Sequence, residues 1–189
     1  MVNRYYNLKK TIIMKKVITI AGSNSQKSIN KALVGYTASL LKNVEIISID
    51  LNDYVLPVYG EDYEAENGIP TAVKRLDEII NTADAFIISL AEHNGSYAAV
   101  FKNTLDWLSR LDMKIWKEKP MLLMATSPGG RGGATVLQGA STYFPFLGAK
   151  LIGTYSLPSF YDNFKEGEII EESFRKELED KTVRFSKEL

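Results

Sequence analysis

The sequence predicts an α/β fold in which helices cover both faces of an open parallel sheet. Three observations predict it. Five short apolar runs, at 17–21, 44–50, 84–90, 120–126 and 150–154, alternate with segments of helical periodicity. Two of the runs, DAFIISL (84–90) and PMLLMAT (120–126), are apolar almost throughout, as strands buried on both faces are. Three turn-rich segments, at 22–28, 91–96 and 127–133, each follow a strand and so fall at carboxyl ends. Right-handed crossovers leave few arrangements for such a chain other than a doubly wound sheet. In that sheet, ligands sit beyond the carboxyl ends, where the chain order reverses.

The first strand ends in Gly22-Ser23-Asn24-Ser25, and Ser28 and Asn30 open a helix over about 28–41, with Ile29, Ala32, Leu33, Tyr36 and Leu40 at helical spacing. First-turn N–H groups have no partner within a helix, and the helix dipole adds partial positive charge there. Ser23, Ser25 and Ser28 add hydroxyls, and Gly22 permits a sharp turn. This stretch reads as a phosphate cradle; an ordinary strand-to-helix loop capped by Ser28 is the alternative. It holds no Gly-Lys-Ser/Thr and no G-x-G-x-x-G, which excludes the nucleoside-triphosphate loop and the dinucleotide fingerprint. A terminal monophosphate wrapped by hydroxyls suits what is left.

The second strand, 44–50, ends in Asp50, read as an ordinary strand-end residue, and 51–68 reads as a long loop. Ile69, Val73, Leu76, Ile79 and Ile80 mark the next helix, with Pro70 near its first turn. After the third strand come the polar residues 92–96, then a helix carrying Val100, Phe101, Thr104, Leu105, Leu108 and Leu111. Phe101 and Trp107 widen its apolar band, and an exposed remainder of that band would mark an interface. The fourth strand runs into Ser127-Pro128-Gly129-Gly130-Arg131-Gly132-Gly133, followed by a helix over 134–147 that Pro145 should end or distort. A fifth strand at 150–154, an aromatic-rich loop at 156–167 and a helix patterned by Ile170, Phe174, Leu178 and Phe185 complete five strands and five helices.

Composition narrows the chemistry. A chain of 189 residues suits one domain, and 45% hydrophobic with 24% charged residues is ordinary for a globular protein. Lys+Arg and Asp+Glu both number 23, which argues against a nucleic-acid or membrane-surface partner. Without cysteine there is no thiol nucleophile or Cys-ligated metal, and one histidine cannot build a histidine-rich metal site. Hard chemistry must come from a bound cofactor or from oxygen groups. No apolar run reaches membrane-spanning length, and 11–14 is too short for a signal-peptide core, so a cytoplasmic location is expected. Residues 1–13 are expected to be an extension outside the core, and 14–189 one domain.

With these loops in view, the chain resembles the NADPH-dependent FMN reductase family, which includes quinone, chromate and azo-dye reductases. The resemblance runs from about Lys15 onward. It rests on the family's G-S-x-R-x-x-S-x-N loop, here Gly22 to Asn30, and on its P-E-Y-N-x-S…L-K-N-x-L-D-W segment. The latter reads Ala91-Glu92-His93-Asn94-Gly95-Ser96, then Phe101-Lys102-Asn103-Thr104-Leu105-Asp106-Trp107. Ser25 stands where the family commonly has arginine, Ala91 where it has proline, and His93 where it has tyrosine.

The resemblance implies a flavodoxin-like three-layer sandwich with strand order 2-1-3-4-5, FMN as cofactor and NADPH or NADH as hydride donor. On it, Ser23, Ser25, Ser28 and Asn30 surround the FMN phosphate, Asn30 being alternatively a holder of the loop from within the helix. Glu92, His93, Asn94 and Gly95 line the flavin ring, and Ser127 belongs to the same site. Gly129, Gly130, Gly132 and Gly133 allow close backbone approach to the ring. Arg131 meets negative charge or is solvated. Hydride transfer needs stacked rings more than a protein proton donor, so His93 is not assigned acid–base work. Lys102, Asn103, Asp106 and Trp107 are assigned to helix packing and subunit contact. The implied activity passes electrons to a small acceptor (free flavin, quinone, azo compound or metal oxyanion) in a homodimer or homotetramer. A flavodoxin-type electron carrier and a flavin-less binding domain of the same fold are the alternatives; balanced charge counts against the acidic docking face of a carrier.

Overall fold

Strands β1 (Lys15–Gly22), β2 (Val44–Ile49), β3 (Ala85–Leu90), β4 (Lys119–Thr126) and β5 (Ala149–Leu157) form one sheet because three of them carry side chains that only a covered sheet can bury. All six residues of β3 are buried, and β1 and β4 are buried from Val17 and from Met121 to their ends. The computed structural model describes residues 14–189, so the expected extension at 1–13 lies outside the described residues. The strand order is 2-1-3-4-5 with every neighbouring pair parallel, as the sequence predicts.

Among the described residues seven α-helices accompany the sheet: α1 (Ile29–Ser39), α2 (Glu61–Asn67), α3 (Thr71–Asn81), α4 (Ala99–Leu111), α5 (Ala134–Tyr143), α6 (Phe160–Asn163) and α7 (Glu172–Ser186). Strand alternation divides the core. Phe86, Ile88 and Leu90 face Leu76 and Ile80 of α3, Phe101 and Leu105 of α4 and Val136 of α5. Ala85 and Ile87 face Leu33 of α1 and Leu178 and Phe185 of α7. Each side chain of this size contributes about 2 kcal/mol on burial, so both layers are needed to hold the sheet.

Several boundaries differ from the sequence expectations. The segment 51–68 contains α2, which buries none of its residues and so shows no apolar period. It forms between Gly60 and Gly68 with Glu61, Asp62 and Glu64 in its first turn, where the helix dipole favours acids. The segment 156–167 holds the end of β5, α6 and one strand of a small hairpin, Phe164–Lys165 with Glu168–Ile169. Helix α5 stops at Tyr143, before Pro145, and the chain turns back at Gly148 (φ 83°). Strand β5 runs the length of β4 instead of 150–154, with a register shift after Met121.

The register levels the carboxyl edge. Gly22 is opposite Leu90, Leu90 opposite Ala125, and Ala125 opposite Ser156. The loops that begin after these residues therefore leave the sheet side by side.

Candidate functional site

The loop after β1 is built by its own hydroxyls. Ser23 Oγ accepts from the Ser25 N–H (3.2 Å), Ser25 Oγ from the Lys27 N–H (3.2 Å) and Ser28 Oγ from the Lys31 N–H (3.2 Å). Ser28 is thus the N-cap of α1. A hydroxyl that accepts still carries a proton to donate, so three O–H groups remain for an anion at a helix N-terminus. Gly22 is not the turn residue expected: its φ is not positive, and a Cβ there would press on Leu90 (3.2 Å) and Phe101 (3.3 Å). Its lack of a side chain is a packing requirement.

Asn30 is 2% exposed and bolts this loop to its neighbours. Its Nδ2 donates to the Thr126 carbonyl (3.2 Å), while its Oδ1 accepts from the Thr126 N–H (3.1 Å) and the Ser89 hydroxyl (2.7 Å). These bonds join Asn30 to the ends of β3 and β4, and the same residue lines the groove beside them.

A groove of about 250 Å³ opens here. Ser23, Ser25, Ser28 and Asn30 line it from α1's end, Glu92 and His93 from the second loop, and Ser127 from the third. Asn94, Gly95, Gly129, Gly130 and Arg131 are not among its lining residues. Asn94 (φ 52°) and Gly95 (φ 76°) instead turn a two-residue hairpin that pairs Glu92 with Tyr97 and His93 with Ser96. Positive φ at both central positions is what such a hairpin demands, and Asn-Gly is its commonest signature. Tyr97 anchors the hairpin against Phe101 and Phe144, and burial pushes its phenol up to about 12.

Glu92 has a second task. Its Oε2 accepts the Val136 N–H (2.9 Å), capping α5, whose own N-cap Gly133 has no side chain to offer. The glycines after β4 are also not interchangeable, as the expectation of a common ring contact implied. Gly129 and Gly130 stand in open space, whereas a Cβ on Gly132 (φ 58°) would lie 2.9 Å from Pro158 N, and one on Gly133 (φ 76°) 2.9 Å from Ala125 Cβ. The close approach at 132 and 133 is to the protein's own backbone and core. Arg131 is exposed and donates to Thr135 Oγ1 (2.7 Å).

The expected interface residues are buried: Phe101 is 1% exposed and Trp107 0%. Asn103 and Trp107, one turn apart on α4, grip the segment after β2. Asn103 Oδ1 accepts the Tyr59 N–H (2.8 Å), and Asn103 Nδ2 and Trp107 Nε1 both donate to the Pro57 carbonyl (2.9 and 2.8 Å). Lys102 and Asp106 form an exposed pair with each other. Among the exposed apolar side chains, Met113 and Tyr143 line a recess of about 370 Å³ between α4 and α5, and Phe146 lies beside the Tyr143 ring.

A doubly wound sheet of order 2-1-3-4-5 with a hydroxyl-rich groove at its switch point is the architecture of flavodoxin-like proteins. Within it the chain belongs to the NADPH-dependent FMN reductase family, whose model matches residues 15–162. It is 35% identical over 123 residues to a quinone reductase of Escherichia coli, an alignment that covers 63% of this chain and 63% of that relative. With a 2-hydroxy-1,4-benzoquinone reductase of a Burkholderia species it shares 31% identity over 175 residues, 87% of this chain and 90% of the relative. Among solved structures, the flavoenzyme NAD(P)H:(acceptor) oxidoreductase FerB of Paracoccus denitrificans matches with a TM-score of 0.74 at 27% identity, covering 93% and 97% of the two chains.

Proposed function

We propose that this chain is an FMN-dependent NAD(P)H oxidoreductase that reduces a small acceptor such as a free flavin, quinone, azo compound or metal oxyanion. The observation that carries this is the groove in which the Ser23–Ser25–Ser28 hydroxyls meet the Glu92–His93 and Ser127 loops at a locked carboxyl edge. The donor set fits a phosphate monoester. It offers O–H groups and a helix N-terminus, with Lys27 on the rim, and the one carboxylate present, Glu92, is already bound to the Val136 N–H. Ser23, Ser25 and Ser28 would hold the FMN phosphate; Glu92 and His93 would border the ring, and Ser127 would line the same groove. Bound FMN supplies hydride acceptance from the nicotinamide and electron delivery to the acceptor. The protein's part is to bind, orient and keep the carboxyl edge rigid; Asn30 serves the last of these from inside.

Family membership, the quinone reductase named in Escherichia coli and the NAD(P)H:(acceptor) oxidoreductase FerB support the same reaction class for this chain. Among the described residues no helix is long and apolar enough to cross a membrane. A cytoplasmic enzyme acting as one unit over 14–189 is part of the proposal, as is a homodimer or homotetramer. The apolar rim of Met113, Tyr143 and Phe146 (57%, 49% and 70% exposed) supports the oligomer.

The test is a visible spectrum of protein incubated with FMN, desalted and titrated anaerobically with NADPH. Flavin bands that stay with the protein and bleach are expected. Bands that resist both NADPH and NADH would make it an electron carrier, and no retained flavin would overturn the proposal.

A further inference from the structure

The serine hydroxyls of the cradle all come from one loop, 23–28, yet the groove they line has a second wall, to which Ser127, Pro128 and Tyr161 belong. Tyr161 also lines the depression that continues along the first turn of α1, with Lys27, Ser28 and Ile29. Its side chain therefore stands at the end of the groove nearest that turn. The backbone beneath it is held. The Ser159 N–H donates to the Gly129 carbonyl (3.0 Å), the Phe160 N–H to the Ser127 carbonyl (3.1 Å) and Asn163 Nδ2 to the Pro158 carbonyl (2.8 Å). Ser159 is left-handed (φ 45°, ψ 56°), a conformation that is strained for a residue with a Cβ. That turn sends Phe160 inward, 6% exposed and stacked on Phe164 (4.8 Å), and Tyr161 outward, 63% exposed and edge-on to Phe160 (5.6 Å). Strain of this kind persists only where its surroundings over-determine it, and it clusters at ligand clamps.

The Tyr161 hydroxyl has no hydrogen-bond partner among the described residues. No carboxylate lines the depression along α1, and Glu92, in the groove itself, is bound to the Val136 N–H. A phenol with no acid to donate to, beside an ammonium and a helix N-terminus, is arranged to donate to an anion.

We infer that Tyr161 is a cofactor-holding residue whose hydroxyl donates to the FMN phosphate from the wall opposite Ser23, Ser25 and Ser28. This rests on the proposed FMN-dependent activity and deepens it. The serines leave the sheet after β1 and Tyr161 after β5, so the phosphate is gripped from two loops. Both loops are tied to the end of β4, one through Asn30 and Thr126, the other through Phe160 and Ser127. A phosphate held in this way leaves only when one wall gives. FMN is then a resident cofactor, and acceptors exchange past it.

The experiment is fluorescence titration of the full chain, freed of flavin by dialysis, with FMN and with riboflavin, which lacks the phosphate. The parent is compared with Tyr161→Phe and Tyr161→Ala. Loss of one hydrogen bond to a charged group corresponds to about a tenfold or greater loss of affinity. Tyr161→Phe is expected to weaken FMN by that factor, chiefly through faster dissociation, and to leave riboflavin unchanged. Tyr161→Ala is expected to do the same. Because the side chain is mostly exposed, the flavin-free variants should melt with the parent, which separates a lost contact from a loosened loop. Equal FMN affinity in the parent and Tyr161→Phe overturns the inference. So does a Tyr161→Ala variant that weakens both flavins while Tyr161→Phe weakens neither, because the ring and not the hydroxyl then makes the contact. A parent that binds FMN while both variants bind it equally well ends this inference alone. A parent that binds no FMN ends the proposed function and this inference with it.

Discussion

Asn30 and Thr126 hold each other by two hydrogen bonds across the carboxyl edge, the Asn30 amide donating to the Thr126 carbonyl and accepting its N–H. The two residues are 96 positions apart, and the Ser89 hydroxyl on the strand between them joins the same oxygen. One buried side chain thus ties α1 to the ends of β3 and β4, the elements that flank the cradle groove.

Asn30→Ala removes the partner of a buried N–H, a buried hydroxyl and a buried carbonyl at once. Each unsatisfied group costs about 1–3 kcal/mol, so a loss of about 3 kcal/mol or more in urea unfolding is expected. Asn30→Asp keeps the acceptor but loses the Nδ2 donor and places a charge beside the Thr126 carbonyl; it should be no better. An alanine variant within 1 kcal/mol of the parent would mean that water replaces the bolt.

Asn103→Ala releases the Tyr59 N–H and half of the grip on Pro57, and Trp107→Phe removes the other half while keeping most of the ring. Each should cost about 1–2 kcal/mol. Limited proteolysis separates this from general destabilisation: the expected new cleavage falls within 54–60, where Val55 and Val58 are already 88% and 84% exposed. Cleavage spread over the chain would deny the strap.

The difference between what was legible and what was not follows from range. The strands of the core are read directly because β3 and β4 are continuous apolar runs, and the parallel order follows from alternation with helices. The serine-lined loop of the groove is legible because a strand, a run of serines and a helix start are neighbours in sequence. The grip of Asn103 and Trp107 is not, since its partner is a carbonyl 46–50 residues away and the same spacing reads as an apolar band. Asn94-Gly95 carries a hairpin turn signal, and the hairpin it closes brings Glu92 and His93 to the groove. Helix α2 buries nothing, and apolar periodicity cannot report a helix of that kind.

Acid should loosen the amino-terminal edge of the sheet. The Asp84 carboxylate accepts the Lys16 N–H (2.9 Å) and pairs with the Lys15 ammonium (3.1 Å), which hold its pKa below the usual aspartate value. A depressed folded-state pKa stabilises the fold above the unfolded value, about pH 4, and that stability is lost as pH falls through the folded value. Asp84→Asn should therefore melt below the parent at pH 7, with the gap closing below about pH 4. A gap that is constant from pH 7 to pH 3 would remove the carboxylate's charge from the account. The carboxyl is one-third exposed, so the effect will be modest and salt-sensitive.

The oligomer prediction rests on where apolar surface is left over. Trp107 and Phe101 are fully used inside the chain, whereas Phe146, 70% exposed, lies 6.3 Å from the half-exposed Tyr143 ring. Beside them is the recess between α4 and α5, with apolar Leu105, Ile115, Val136 and Leu147 in its lining and the Lys102–Asp106 pair on its border. An apolar centre with a charged rim is the anatomy of a protein interface, and an isologous pair of such faces lets each copy fill the other's recess. Phe146→Glu changes a side chain that packs little within its own chain, so its melting as a monomer should be unaffected. It should nevertheless drop the mass measured by light scattering at about 10 µM to that of one chain, because a buried unpaired carboxylate is costly at an interface. A parent protein that already scatters as one chain would overturn the proposed oligomer. A Phe146→Glu variant that keeps the parent's multimeric mass would place the assembly on another face, and Met113 and Tyr143 would then be ordinary exposed side chains.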